Sequence, residues 1–110
     1  MKNLVYGDSS WLIGDEAADA VLEYAVLLAK HATADTLDVA VLGPDGNSET
    51  TTLVLGPSTT IQAQTTRSEL AEPDNSALIN YVRERVHAAV QPAQPLAVPP
   101  GDDTVYDEGI

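Results

Sequence analysis

Between Asp15 and Ala32 the apolar residues recur at spacings of three and four, and this pattern constrains the fold more than any other feature of the chain. Residues at these spacings share one face of an α-helix, which must then pack against another element. Asp15 is a favourable N-cap, and Lys30 and His31 fall in the last turn, where the helix dipole favours cations. We therefore predict an amphipathic helix that begins near Asp15.

Short stretches with a period of two predict the strands. One begins near Lys2 and ends at Tyr6, and a second covers residues 37–41, where valine and leucine alternate with polar residues. The segment "GPDGN" that follows predicts a hairpin turn in which Gly46 takes a positive φ. Residues 50–55 then form the returning strand.

A third strand of this meander is predicted in "TTIQAQTT", before a second helix. Ile61 and Ala63 would face the core, and the uncharged side chains of Thr60, Gln62 and Gln64 would face solvent. The second helix would take Asp74 or Asn75 as its cap and would end before Pro92.

The segment Trp11-Leu12-Ile13 allows two interpretations. It could be a tiny strand turned back through "GDSS", or an apolar plug that leads into the first helix. The plug is preferred, because Ile13 directly before a helix start could pack on the first turn as a hydrophobic staple.

The predicted fold is α+β, a two-layer sandwich of order β-α-β-β-β-α. Both helices would pack on one face of a four-stranded, mainly antiparallel sheet, whose open face would carry Thr, Gln and Asp. Residues 1–90 would form this single domain. Residues 91–110 contain four of the seven prolines and four acids in the last nine positions, so we predict that they are disordered.

Composition excludes several classes of partner. The 17 acidic residues against five Lys and Arg give a net charge of −12, which would repel nucleic acids and anionic membranes. The absence of cysteine excludes disulfides and thiolate chemistry and agrees with a cytoplasmic location. No apolar stretch reaches the ~18 residues of a membrane span.

The motif Gly7-Asp8-Ser9 raises the possibility of a hydrolase. "LVYGDSSWLIG" resembles the first motif of the GDSL, or SGNH, hydrolases, and that resemblance would make Ser9 the nucleophile. The family's Gly-x-Asn-Asp segment and Asp-x-x-His spacing are missing, and a serine without a base is a poor nucleophile. We therefore expect a turn here, with Asp8 or Ser9 bonding to the backbone.

Other candidate residues are few. Trp11, the single tryptophan, would fill the core or anchor an interface, and Arg67 would either solubilise its loop or hold an anion. Neither histidine has a second ligand at metal-binding spacing, and no Gly-rich phosphate loop is present, so no metal or cofactor is predicted.

The segment "GDSSWLIGDEAADAVLEYAVLLAKHATADTLDV" resembles a family of small acidic actinobacterial proteins of unknown function, which implies no activity. The leading hypothesis is a non-catalytic protein-binding or accessory module that contacts another protein or forms a homodimer. The alternatives are a small SGNH-like esterase that uses Ser9, and an acidic nucleic-acid mimic that inhibits a basic protein.

Overall fold

The structure, a computed structural model, describes residues 1–90 and has an α+β fold. The elements in chain order are β1 (Lys2–Tyr6), β2 (Ser9–Ile13), α1 (Asp15–Lys30), β3 (Asp35–Leu42), β4 (Ser48–Leu55), β5 (Ile61–Thr65) and α2 (Ser76–Val90). In this part of the chain, α1 and α2 pack on a five-stranded antiparallel sheet of order β4-β3-β2-β1-β5. The prediction of disorder for residues 91–110 lies outside the described residues.

The predicted apolar plug is wrong, because residues 11–13 belong to the strand β2. This strand forms a hairpin with β1 in which Tyr6 pairs with Ser9 and Leu4 pairs with Trp11. The turn between them consists of Gly7 and Asp8, and Gly7 has a φ of +60°. A positive φ at the first central position is typical of the type II′ turn, which matches the twist of paired strands. The sheet therefore has five strands and not the predicted four.

The predicted meander is also wrong, because β5 does not pair with β4. It pairs with β1 at the opposite edge of the sheet, where Ala63 lies opposite Leu4 and Ile61 opposite Tyr6. The hairpin with β2 satisfies one edge of β1 and leaves the other open for β5. The predicted faces hold for the residues within β5, since Gln62 and Gln64 are exposed and Ile61 packs against the core. Thr60, which was predicted on the same solvent face, is exposed but precedes the strand.

A hydrogen bond between β4, at one edge of the sheet, and β1, three strands away, shows that the sheet is curled. The Tyr6 hydroxyl donates to the Val54 carbonyl at 2.6 Å. Leu12 of β2 and Leu42 of β3 pair with each other and serve as a reference level. Tyr6 pairs with Ser9, three residues to one side of this level, and Val54 pairs with Thr36, six residues to the other side. In a flat sheet these positions would be about 30 Å apart along the strands, so the hydrogen bond requires strong curling.

The predicted β3–β4 hairpin is confirmed. The Gly46 N–H donates to the Gly43 carbonyl at 2.9 Å, and the Gly43 N–H donates to the Asn47 carbonyl at 2.9 Å. Gly46 has a φ of +82°, as expected for a type I turn followed by a bulged glycine.

The core lies between the sheet and the two helices. Its fully buried side chains come from every layer and include Leu4, Ile13, Val21, Val39, Val41, Leu53, Leu55 and Val82. The helices contact each other through the rings of Tyr24 and Tyr81, which meet edge to face at 5.9 Å, and through an ion pair between Glu16 and Arg83. No helix in residues 1–90 is long and apolar enough to cross a membrane.

The helix starts differ in detail from the prediction. The N-cap of α1 is Gly14, and the carboxylate of Asp15 instead lies 3.2 Å from the N-terminal ammonium group. At the start of α2 each of the two predicted cap residues accepts a hydrogen bond from a backbone N–H of the helix. The Asn75 carbonyl accepts from Ile79 N–H, while the Asp74 carboxylate accepts from Ser76 N–H at 2.9 Å.

Candidate functional site

The face of the sheet that points away from the helices is almost free of charge, and we call it the neutral face. Alternation along the strands, with the inward residues in the core, fixes which side chains point outward. Asp38 is the one charged residue among them, and it accepts a hydrogen bond from the Thr52 hydroxyl at 2.7 Å. The outward residues are Asn3, Val5, Ser10, Leu12, Thr36, Asp38, Ala40, Leu42, Ser48, Thr50, Thr52, Val54, Gln62 and Gln64.

The helical layer has the opposite character. Its exposed acids are spread along both helices and include Asp15, Glu16, Asp19, Glu23 and Glu84. Lys2 projects toward this layer and binds Asp19 at 2.7 Å. The two layers of this acidic protein therefore present very different surfaces, and a protein could cover the neutral face without desolvating a row of carboxylates.

A shallow cleft of about 240 Å³ interrupts the neutral face where β2 meets β3. Leu12 and Leu42 pair across the two strands there, and Trp11 also lines the cleft. Leu70, from the segment between β5 and α2, lies at the rim and is 52% exposed. This is the most apolar part of the neutral face. The predicted binding residue Trp11 borders the cleft, but its side chain lies on the inner face of the sheet with that of Leu4 and packs against the core.

The other predicted site residues lie apart from this cleft. Asp8 is exposed in the β1–β2 turn, and Ser9 is exposed at the start of β2. Within residues 1–90 no histidine hydrogen-bonds to the Ser9 hydroxyl. His31 follows the last residue of α1, and His87 lies in the last turn of α2. Arg67 is exposed just beyond β5. The structure thus does not bring the four predicted residues together.

A polar cluster that sequence reasoning missed joins both helices to the sheet. The Asp35 oxygen Oδ2 accepts hydrogen bonds from the hydroxyls of Tyr24 and Tyr81, each at 2.5 Å. Its Oδ1 accepts from the Thr36 N–H at 2.7 Å. The Arg85 guanidinium lies 4.8 Å from the centre of the Tyr81 ring. Nothing in the spacing of these residues along the chain indicates that they meet.

The hydrogen bonds of this cluster shift two pKa values in opposite directions. The Tyr24 and Tyr81 hydroxyls lower the pKa of Asp35, aided by the Thr36 N–H and Arg85 and opposed by partial burial. Burial, followed by the bond to Asp35, raises the pKa of Tyr24. At neutral pH the cluster is therefore an ionised carboxylate that accepts hydrogen bonds from two phenol hydroxyls. Both of its oxygens are already occupied, so the arrangement favours a structural role over proton transfer.

No family model, curated protein or solved structure matches this chain. Among the described residues, no three side chains of the His, Cys, Asp and Glu types gather as a metal site would require. The neutral face is the surface that differs most from the rest of the protein, and it is our candidate functional site.

Proposed function

We propose that this protein is a non-catalytic protein-binding module that associates through its neutral face, with a second copy of itself as the partner. The observation that carries the proposal is the contrast between the two layers. The chain has a net charge of −12, yet its outward strand residues include a single acid, Asp38. Two such molecules can approach closely only where carboxylates are absent, and the neutral face supplies that surface.

The edge strand β4 gives the proposal further support. Its residues 50–55, "TTTLVL", contain no charge, no proline and no glycine. Natural proteins usually protect an exposed edge with lysine, proline or a bulge, because an open edge pairs with other chains. At this edge the Val54 carbonyl is already bonded by Tyr6, while the side chains of Thr50 and Thr52 are exposed. Such an edge next to an uncharged face is typical of a surface that is covered by a partner.

The test is the mass of the full chain in solution, measured by size-exclusion chromatography with light scattering over a range of concentrations. We expect a dimer with twice the monomer mass of 11.6 kDa. Thr52→Lys and Gln62→Lys each place a positive charge on the neutral face, and each should shift the protein toward the monomer. Asn80→Lys is the matched control, since Asn80 is exposed on α2 and receives the same charge.

Two results would contradict the proposal. A monomer at every concentration would exclude self-association. The binding module would then be excluded as well if affinity purification with the wild-type protein retained no protein that the Thr52→Lys variant fails to retain. Equal effects of Asn80→Lys and the two neutral-face variants would show that charge in general, and not this face, governs association.

A further inference from the structure

The edge of β3 that faces β2 is paired with a strand at a single register position. Leu42 pairs with Leu12 there, and β2 leaves the sheet at Gly14, where α1 begins. Two residues further along this edge, at Ala40, the side chain of Asn75 takes the place of a strand. The Ala40 N–H donates to Asn75 Oδ1 at 2.8 Å, and Asn75 Nδ2 donates to the Ala40 carbonyl at 2.8 Å. Asn75 thus makes both hydrogen bonds that a residue of a neighbouring strand would make.

The Ala40 contacts show which backbone groups lie along the rest of this edge. In an antiparallel ladder, both backbone groups of alternate residues point to the same side, so those of Asp38 and Thr36 point the same way as those of Ala40. The Thr36 N–H is taken by the Asp35 carboxylate. Within residues 1–90, no backbone or side-chain group bonds to the Asp38 N–H, the Asp38 carbonyl or the Thr36 carbonyl. Three strand-type hydrogen-bonding groups are therefore open.

A cleft of about 370 Å³ lies at these open groups. One wall consists of residues 35–38 of β3, whose edge carries the open backbone groups, and the other consists of Ala77, Leu78 and Tyr81 on α2. Backbone polarity on one side and apolar side chains on the other suit an extended peptide, whose backbone bonds to the strand while alternate side chains enter the cleft.

We propose that the β3 edge binds an extended segment of a different protein by strand addition, with Lys or Arg opposite Asp38 and apolar residues on either side of that cation. Residues directly opposite each other on paired strands point to the same face. A side chain opposite Asp38 would therefore lie beside its carboxylate, and the flanking side chains would point toward Leu78 and Tyr81.

Charge complementarity favours a cationic segment of another protein over two acidic candidates, a second copy of this chain and the last residues of the chain itself. The acids on the β3 wall of the cleft are Asp35 and Asp38, and the nearby Arg85 already contacts Tyr81. A second copy carries a net charge of −12, and the last nine residues of the chain itself include four acids. A cationic segment instead gains an ion pair with Asp38 as well as the three backbone hydrogen bonds.

This inference goes beyond the proposed function, and the two can fail separately. Strand addition uses the backbone at Asp38 and Thr36 and takes only the Asp38 carboxylate from the neutral face, whereas self-association depends on the other side chains of that face. Because Thr52 bonds to Asp38, the variant that tests self-association alone is Gln62→Lys on β5, and the peptides below test strand addition.

Binding of a fluorescein-labelled, end-capped peptide of sequence VKVTV to the full chain, measured by fluorescence polarisation, tests the inference. With lysine opposite Asp38, methylation of the lysine amide removes a donor that faces β3 and should weaken binding at least tenfold. Methylation of the next valine amide, which faces away from β3, should change binding less than twofold. Asp38→Asn should weaken binding about threefold. Glu23→Gln, which removes an exposed acid from α1, is the matched control and should have no effect.

Amide hydrogen exchange of the full chain identifies the occupant. We expect fast exchange at Asp38 in the free protein and slower exchange when the VKVTV peptide is bound. Equal effects of the two methylations, or equal binding of the VEVTV peptide, would overturn the proposal. Protection of the Asp38 amide in a peptide-free monomer would assign the edge to the chain's own residues, and its protection in a peptide-free dimer would assign the edge to a second copy. Either result would also overturn it.

Discussion

The hydroxyl of Tyr24 donates a 2.5 Å hydrogen bond to the carboxylate of Asp35, which ties the middle of α1 to the first residue of β3. Tyr81 of α2 donates to the same oxygen at the same distance. A single carboxylate oxygen thus connects both helices to the sheet. Hydrogen bonds to a charged acceptor are stronger than those between neutral groups. Each bond to Asp35 should therefore stabilise the fold more than a bond to a neutral carbonyl does.

Removing either phenol hydroxyl should destabilise the fold. We expect Tyr24→Phe and Tyr81→Phe each to lower the free energy of unfolding by about 2 kcal/mol, because each removes a bond to an ionised, partly buried carboxylate. Tyr6→Phe is the matched control, since it removes a bond to the neutral Val54 carbonyl and should cost about 1 kcal/mol. Urea titration followed by circular dichroism measures all three. Equal losses would show that the charge of Asp35 adds nothing.

The lowered pKa of Asp35 predicts a loss of stability in acid. The unfolded chain binds a proton near the ordinary value of 3.8, whereas the folded protein does so only at lower pH. The stabilisation is therefore fully present above the unfolded value and is lost as the pH falls through the folded one. Asp35→Asn lacks this contribution, so its stability deficit relative to the wild type should shrink between about pH 6 and about pH 3. A deficit that stays constant over this range would contradict the prediction.

Local patterns predicted most of the elements, but not the arrangement of the strands. The helix period of α1 and the turn "GPDGN" are set by neighbouring residues, and both appear as expected. The β1–β2 hairpin was one of the two interpretations of residues 11–13, but the apolar plug was preferred over it, although Gly7 at the first central position is its local signal. The position of β5 has no local signal at all, because it depends on which strand edge remains open after the others have paired.

The uncharged outer side of β5 was predicted from alternation alone, and it proved to be part of a larger neutral face. The Asp35 cluster and the use of Asn75 could not be predicted in the same way. Asn75 was expected at a helix start, and it lies there, but its side chain binds Ala40, which is 35 residues away in sequence. Contacts of this kind arise only when distant elements pack.

Asn75 should be the most sensitive buried polar residue in the described part of the chain. It is only 7% exposed, and Asn75→Ala leaves the N–H and carbonyl of Ala40 without their partners. We expect a loss of about 3 kcal/mol in the free energy of unfolding. Asn75→Asp is the informative companion, because a carboxylate can accept from the Ala40 N–H but cannot donate to the carbonyl.

The Asn75→Asp variant should recover part of its stability as the pH falls. Burial and the facing Ala40 carbonyl both disfavour the charged carboxylate, so its folded pKa should be raised, and the protonated form can donate to that carbonyl. Its deficit relative to the wild type should therefore be larger near neutral pH than at about pH 4. A deficit independent of pH would show that Asn75 acts through shape alone.

The β3–β4 turn predicts a difference between two substitutions at Gly46. Its φ of +82° lies in the left-handed region, where a Cβ is strained even though no atom lies within 4 Å of the position a Cβ would take. We expect Gly46→Ala to lower the free energy of unfolding by about 1 kcal/mol, and Gly46→Asn to cost less, because asparagine tolerates this conformation better. Thermal unfolding of both variants measures the difference. Because space around residue 46 is open, a larger loss for the bulkier asparagine would show that crowding, and not backbone conformation, requires glycine at this turn.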